Sequence, residues 1–281
     1  MALTDDLTRQ FEGKVAVVTG GTQGVGEACA RLFAARGAAG IAICGRNAEK
    51  GEAVAKSITE SGCRTVFVQA DLTTVEDPRK VIAEADRAFG RIDALVNAAG
   101  MTDRGTIWDT SPELYDKLFA VNVRAPFFLM QDAAKVMKRV GAKGTIVTII
   151  SMSSHGGQPF ITAYSASKGA MLTLTRNVGF QLMRHDIRCN GLNIGWTDTP
   201  GEDRIQKSYH GARDGWLDSA EKGLPFGRLI KTEEVARAVA FLSSEESGLM
   251  TGSIVDFDQS VLGSYEAPPM PAPLDSANAA E

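Results

Sequence analysis

Tyr164 and Lys168 stand four residues apart in the run Tyr-Ser-Ala-Ser-Lys. On a helix that spacing puts both side chains on one face, one above the other. A free phenol has a pKa of about 10, too high for a base at neutral pH, and a neighbouring cation lowers it by favouring the phenolate. The pair reads as a general acid/base, Tyr164, with Lys168 as its tuner. Ser151 precedes Tyr164 by thirteen residues and follows an apolar, β-branched run at 145–150. Ligands of open α/β sheets bind beyond the carboxyl ends of the strands, so a strand-end hydroxyl and a helix phenol can converge on one carbonyl oxygen. The second pattern is Thr19-Gly20-Gly21-Thr22-Gln23-Gly24-Val25-Gly26, between another apolar run and a helical stretch. Glycines there let the backbone approach a pyrophosphate, and the N–H groups of the helix start favour an anion.

These residues need elements to hold them. Short apolar runs at 14–19, 41–44, 65–69, 94–97, 145–150, 188–194 and 253–257 read as buried strands. Helical spacing fills 25–36, 48–61, 75–89, 163–184 and 232–244, with Gly37, Gly62 and Gly90 as stops. Ser111-Pro112 opens a further helical stretch to Arg139, which Pro126 is expected to kink or break. Strands alternating with crossover helices pair in parallel, giving a seven-stranded sheet covered on both faces. We expect one α/β domain over residues 12–263, with an N-terminal tail at 1–11 and a flexible C-terminal tail at 264–281. Residues 196–224, polar and glycine-containing, look like a mobile flap with short helices.

Composition narrows the partners. The 281 residues are 44% hydrophobic and 23% charged, with a net charge of −4. That suits a globular core and argues against pervasive disorder, nucleic-acid coating or an acidic membrane surface. Four cysteines form no Cys-x-x-Cys pair and read as idle thiols in a reducing cytosol. The first eleven residues lack the apolar core of a signal peptide, and no run reaches the ~18 apolar residues of a membrane span. A cytoplasmic location is expected. No His, Cys or carboxylate cluster has ligand spacing, so no catalytic metal is expected.

The glycine spacing T-G-x-x-x-G-x-G, the Asn97-Ala98-Ala99-Gly100 run, Ser151 and the Tyr164/Lys168 pair together resemble the short-chain dehydrogenase/reductase family, over roughly residues 11–263. The resemblance implies a Rossmann-type doubly wound parallel sheet. It implies hydride transfer between a nicotinamide and a carbon bearing oxygen, with Ser151, Tyr164, Lys168 and Asn122 as the catalytic set. Cofactor contacts are implied for Gly20, Thr22, Gln23, Gly24, Val25 and Gly26 in the loop. They are implied for Asp71 and Leu72 at the adenine, and for Asn97, Ala98 and Gly100 beside the adenosine ribose. Tyr164 and Lys168 (the latter through the nicotinamide ribose) and Gly195, Thr197 and Thr199 near the carboxamide complete the set. Ile194 stands where the family usually has Pro, which frees a backbone N–H and loosens φ.

Gly45 occupies the position where an acid would bind an adenosine 2′-hydroxyl, and Arg46 follows it. A guanidinium grips a phosphate by two hydrogen bonds, so NADP is favoured. Thr22 and Gln23 stand where NADP-binding relatives often carry a second base, which keeps NAD open. Ser151, Ser153, His155 and Trp196 are the candidate substrate contacts, with Asp203, Tyr209 and His210 also on or near the flap. Their polarity suggests a small hydroxylated substrate, a sugar, polyol or hydroxyketone. A 3-oxoacyl thioester is the alternative substrate class. A catalytically silent NADP-binding regulator and a purely structural subunit are the alternative functions. The resemblance also implies a homodimer or homotetramer, with helices near 119–139 and 164–184 between subunits.

Overall fold

A computed structural model describes residues 6–264. Seven strands, β1 (Val15–Thr19), β2 (Gly40–Gly45), β3 (Thr65–Gln69), β4 (Ala94–Asn97), β5 (Thr145–Ile149), β6 (Arg188–Ile194) and β7 (Ile254–Phe257), form one sheet in the order β3-β2-β1-β4-β5-β6-β7. Every pairing is parallel. The chain order reverses between β1 and β4, and a crevice opens there at the carboxyl ends of the strands. β1, β4 and β5 are buried at every position, as continuous Val/Ile-rich runs require when helices cover both faces.

The helices in chain order are α1 (Gly24–Ala35), α2 (Ala48–Glu60), α3 (Glu76–Phe89), α4 (Pro112–Phe119), α5 (Ala125–Val140), α6 (Thr162–Leu182), α7 (Pro200–Tyr209), α8 (Trp216–Glu221) and α9 (Thr232–Ser243). One core layer packs α1, α2 and α9 on the sheet, and the other packs α3, α5 and α6. Gly90 ends α3 in the left-handed conformation, with φ +73°, as the sequence predicts.

Two details are decided by the structure. Pro126 neither breaks the stretch from Pro112 nor leaves it a plain helix. A π-helical turn, Ala120–Arg124, joins α4 to α5 just ahead of it. Proline has no N–H for the carbonyl of Asn122, four residues back, and its ring crowds that carbonyl, so the turn widens there. The N-terminal boundary also moves. Phe11, placed in the tail, is 1% exposed and stacks on Phe33 of α1 at 4.2 Å between ring centroids. The domain therefore begins earlier than residue 12. Residues 265–281 of the expected C-terminal tail lie outside the described residues.

All four cysteines are free and buried, and burial pushes Cys29, Cys44 and Cys189 up to about 12, which keeps them as inert thiols. Among the described residues, no helix is long and apolar enough to cross a membrane. No group of three metal-ligating side chains gathers among them either.

Candidate active site

A cleft of about 940 Å³ follows the carboxyl ends of the strands, from the glycine loop and β2 to Tyr164 and the start of α7. That is at the upper end of the roughly 300–1,000 Å³ usual for a ligand pocket. Its floor depends on missing Cβ atoms. A Cβ on Gly26 would lie 2.3 Å from the Gly20 carbonyl oxygen, and one on Gly20 would lie 2.9 Å from Ala99 Cα. Gln23 precedes α1 without a side-chain cap bond, so the first-turn N–H groups face the cleft. A phosphate pair fits this cradle: close backbone approach, free N–H donors and a helix start.

Further along, β2 ends at Gly45. A Cβ there would meet Thr22 Oγ1 at 2.9 Å, so Thr22 fills the room an acidic side chain would need. Arg46 is exposed at the cleft wall, and Lys50 in the first turn of α2 joins it. Lys50 Nζ donates to Gln23 Oε1 at 2.9 Å. Lys50 was not anticipated, although its place one turn past Arg46, just inside a helix start, is a readable signal. Asp71 lines the same wall. Its Oδ1 accepts from Thr73 N at 3.0 Å, and this bond, with Arg46 nearby, holds its carboxyl below the usual range. Leu72 and Ala98 line the cleft as well. Asn97 is 1% exposed and turns toward Thr148 of β5, with Nδ2 3.5 Å from that hydroxyl and its Oδ1 lacking a partner among the described residues.

Near the chemistry, Asn122 uses the π-helical turn to reach inward. Its Oδ1 accepts from Met101 N at 2.9 Å, and its Nδ2 donates to Met101 O at 2.9 Å and Ser167 Oγ at 3.0 Å. It thus ties the segment after β4 to α6. Gly100 lies between, where a Cβ would sit 3.6 Å from Lys168 Nζ and 3.7 Å from Asn122 Oδ1. Lys168 Nζ donates to the Ile149 carbonyl at 2.9 Å and lies 5.7 Å from the Tyr164 ring centroid. Burial pushes Lys168 down to about 8.

Burial pushes the Tyr164 phenol above its ordinary value, and the opposing pull comes from the Ser151 hydroxyl and then from Arg104. The lysine head donates to the Ile149 carbonyl beside the ring. Ser151 sits at the end of β5 as expected and accepts from Ser153 Oγ at 2.9 Å.

The remaining residues divide. Thr199 caps α7, its Oγ1 accepting from Glu202 N at 3.0 Å, and its side chain borders Gly24. A Cβ on Gly195 would collide with Asp258 at 1.8 Å, and Thr197 Oγ1 donates to the Gly195 carbonyl at 3.0 Å. Ile194 lines the cleft. Trp196 stacks on Trp216 and donates to Glu202 Oε1 at 2.8 Å, so residues 196–224 carry two braced helices. His155 is not brought to the cleft. Its Nε2 lies 3.0 Å from Asn193 Nδ2 and 3.2 Å from Asp256 Oδ1, a polar cluster over β6 and β7. Polar partners on neighbouring strands satisfy the ring there.

A parallel α/β sheet with a glycine-floored cleft ending on Tyr164, Ser151 and Lys168 defines an NAD(P)-dependent oxidoreductase. The comparisons agree. A family model described as Enoyl-(Acyl carrier protein) reductase matches residues 20–260. An uncharacterized oxidoreductase of Thermotoga maritima is 37% identical over 248 residues, spanning 88% of this chain and 97% of that protein. The NADP-dependent (R)-specific alcohol dehydrogenase of Lentilactobacillus kefiri is 33% identical over 250 residues, 88% of this chain and 96% of that one. A solved structure of a short chain dehydrogenase/reductase family protein superposes with a TM-score of 0.76 at 35% identity, covering 89% of this chain and 98% of that chain. The chain belongs to the short-chain dehydrogenase/reductase family.

Proposed function

We propose that the chain transfers hydride between NADP and the secondary alcohol or carbonyl carbon of a small polar hydroxylated compound. The observation that carries this reading is Tyr164 beside Ser151 at the end of a cleft whose other end holds Arg46 and Lys50. The bound nicotinamide supplies or accepts the hydride. In reduction, Tyr164 gives its phenolic proton to the forming alkoxide while Ser151 donates a hydrogen bond to the same oxygen. In oxidation, the tyrosinate takes the hydroxyl proton. Lys168 holds the ribose side of the site, and Asn122 keeps the segment after Gly100 in register with α6.

Two cations at one wall, with Thr22 occupying the place of an acid, support NADP over NAD. Arg46→Asp should reverse the preference, lowering kcat/KM with NADPH at least tenfold, about 1.4 kcal/mol, while raising it with NADH. An unchanged NADPH/NADH ratio overturns the assignment. A panel of sugars, polyols, hydroxyketones and acyl thioesters, run with both cofactors, tests the substrate class. The family model's description supports the acyl-thioester reading as the second choice, and faster turnover of thioesters than of polyols would establish it instead.

We further propose self-association through α4–α5 and α6. Exposed Tyr115, Phe127, Phe180 and Met183 on or next to these helices support it. Sedimentation should give two or four times the 29.9 kDa chain mass; a monomer at micromolar concentration overturns it.

A further inference from the structure

Arg104 lies on the segment after β4, and local backbone bonds lock it to the approach of the catalytic helix. Gly105 N donates to the Phe160 carbonyl at 2.9 Å, and Thr162 N at the start of α6 donates to the Gly105 carbonyl at 3.3 Å. A side chain on Gly105 would meet Thr110 Oγ1 at 2.5 Å, so this pairing needs glycine. Arg104 is held beside Phe160, with its guanidinium carbon 5.3 Å from the ring centroid. Phe160 in turn packs against the apolar cluster that contains Tyr164.

The guanidinium is only partly satisfied. Its Nε donates to His210 Nε2 at 3.1 Å, and its Nη1 donates to the Thr102 carbonyl at 2.9 Å. Five N–H donors are available to such a group, so the Nη2 edge remains open. Arg104 is half-buried, and the ion pairs among the described residues do not include it. A guanidinium edge with open N–H donors, braced on one side by a ring and a carbonyl, is shaped to receive an anion. Its neighbours Thr102 and Asp103 line the cleft, and its charge reaches the Tyr164 phenol.

We infer that Arg104 binds a carboxylate on the substrate, which makes the chain selective for hydroxy and oxo acids over their neutral analogues. This rests on the oxidoreductase reading above. A planar guanidinium with an open edge matches a carboxylate's two oxygens. The bound anion is a monoanion, because Asp103 and Glu202 line the cleft with Arg204, and two carboxylates against that one further cation oppose a second negative charge. The cofactor's phosphates are not the intended anion, since Arg46 and Lys50 serve the opposite end of the cleft.

The test uses full-length protein with bound NADP+ and matched pairs of hydroxycarboxylates and their primary amides, such as lactate, 3-hydroxybutyrate and mandelate. Binding is read by tryptophan emission and turnover by kcat/KM, with the corresponding phosphate monoesters as a third arm. At least one acid should bind tenfold or more tightly than its amide. Arg104→Met should bind the two alike, Arg104→Lys should keep part of the preference, and Tyr164→Phe should keep the preference while losing turnover. No acid preference in any pair overturns the inference, as does a preference that survives Arg104→Met. Equal weakening of acid and amide assigns Arg104 to holding His210 instead, and tighter binding of phosphates than carboxylates overturns the monoanion. Turnover of amides without acid preference sinks this inference and leaves the oxidoreductase reading standing. Acid-selective binding with no turnover does the reverse.

Discussion

Tyr164→Phe should cut kcat/KM by about 10²–10⁴-fold, the usual contribution of a positioned acid/base, in both reaction directions. The effect is this large because, among the described residues at the end of the cleft, Tyr164 is the group placed to handle the proton. Ser151 Oγ accepts from Ser153, and the Lys168 ammonium is committed to the Ile149 carbonyl. The fold should not suffer, since phenylalanine keeps the ring that packs with Leu118, Ile161 and Ala163. Thermal melting near the wild-type temperature, together with the loss of turnover, is the expected pair of results. Wild-type turnover in the variant would refute the mechanism. The pH profile adds a second reading. Burial raises the Tyr164 phenol, so alcohol oxidation, which needs the phenolate, should climb toward alkaline pH while carbonyl reduction falls. Both limbs should vanish from the residual activity of the Tyr164→Phe variant.

Lys168→Met should separate activity from stability. Activity should fall by at least tenfold, because the ammonium that holds the ribose side of the site is gone. Stability should change with pH in a particular way. Burial lowers Lys168 from its ordinary 10.5 to about 8 in the folded chain, so between those values the unfolded chain binds more protons than the folded one. Wild-type stability therefore rises with pH across that window, by on the order of 3 kcal/mol for the full shift. Below pH 8 both states carry the proton and the burial cost of the charge is fully present. The methionine variant has no such group. The wild-type minus variant difference in urea unfolding should thus grow in favour of wild type from pH 8 to 10.5. A pH-independent difference would show that Lys168 is not desolvated.

Much of the site is legible because its residues sit in local patterns that geometry then merely completes. Tyr164 and Lys168 share a helix face by spacing alone, and Ser151 must end a strand because the run at 145–150 is apolar and β-branched. The glycine loop is equally local, as each glycine is needed within a few residues of the next. Lys50 was readable by the same means, one turn beyond Arg46. Arg104, Glu202 and the partners of Asn122 were not. Arg104 and Asn122 join the site across 21 to 106 residues of sequence, through hydrogen bonds that no local pattern predicts.

Alternation of buried strands with crossover helices determines the parallel sheet, and the motifs at its strand ends determine a nicotinamide enzyme. Those features depend on periodicity and short spacing, which the chain writes directly. Tertiary structure decided what surrounds them. It turned His155 onto Asn193 and Asp256, placed a π-helical turn just ahead of Pro126 and brought Phe11 into the core. It also set the Lys168 ammonium on the Ile149 carbonyl beside the Tyr164 ring and buried the phenol, which raises it. The physical reason is desolvation and long-range packing. A side chain's charge state and partner depend on what excludes water around it, and that is set only when distant segments meet.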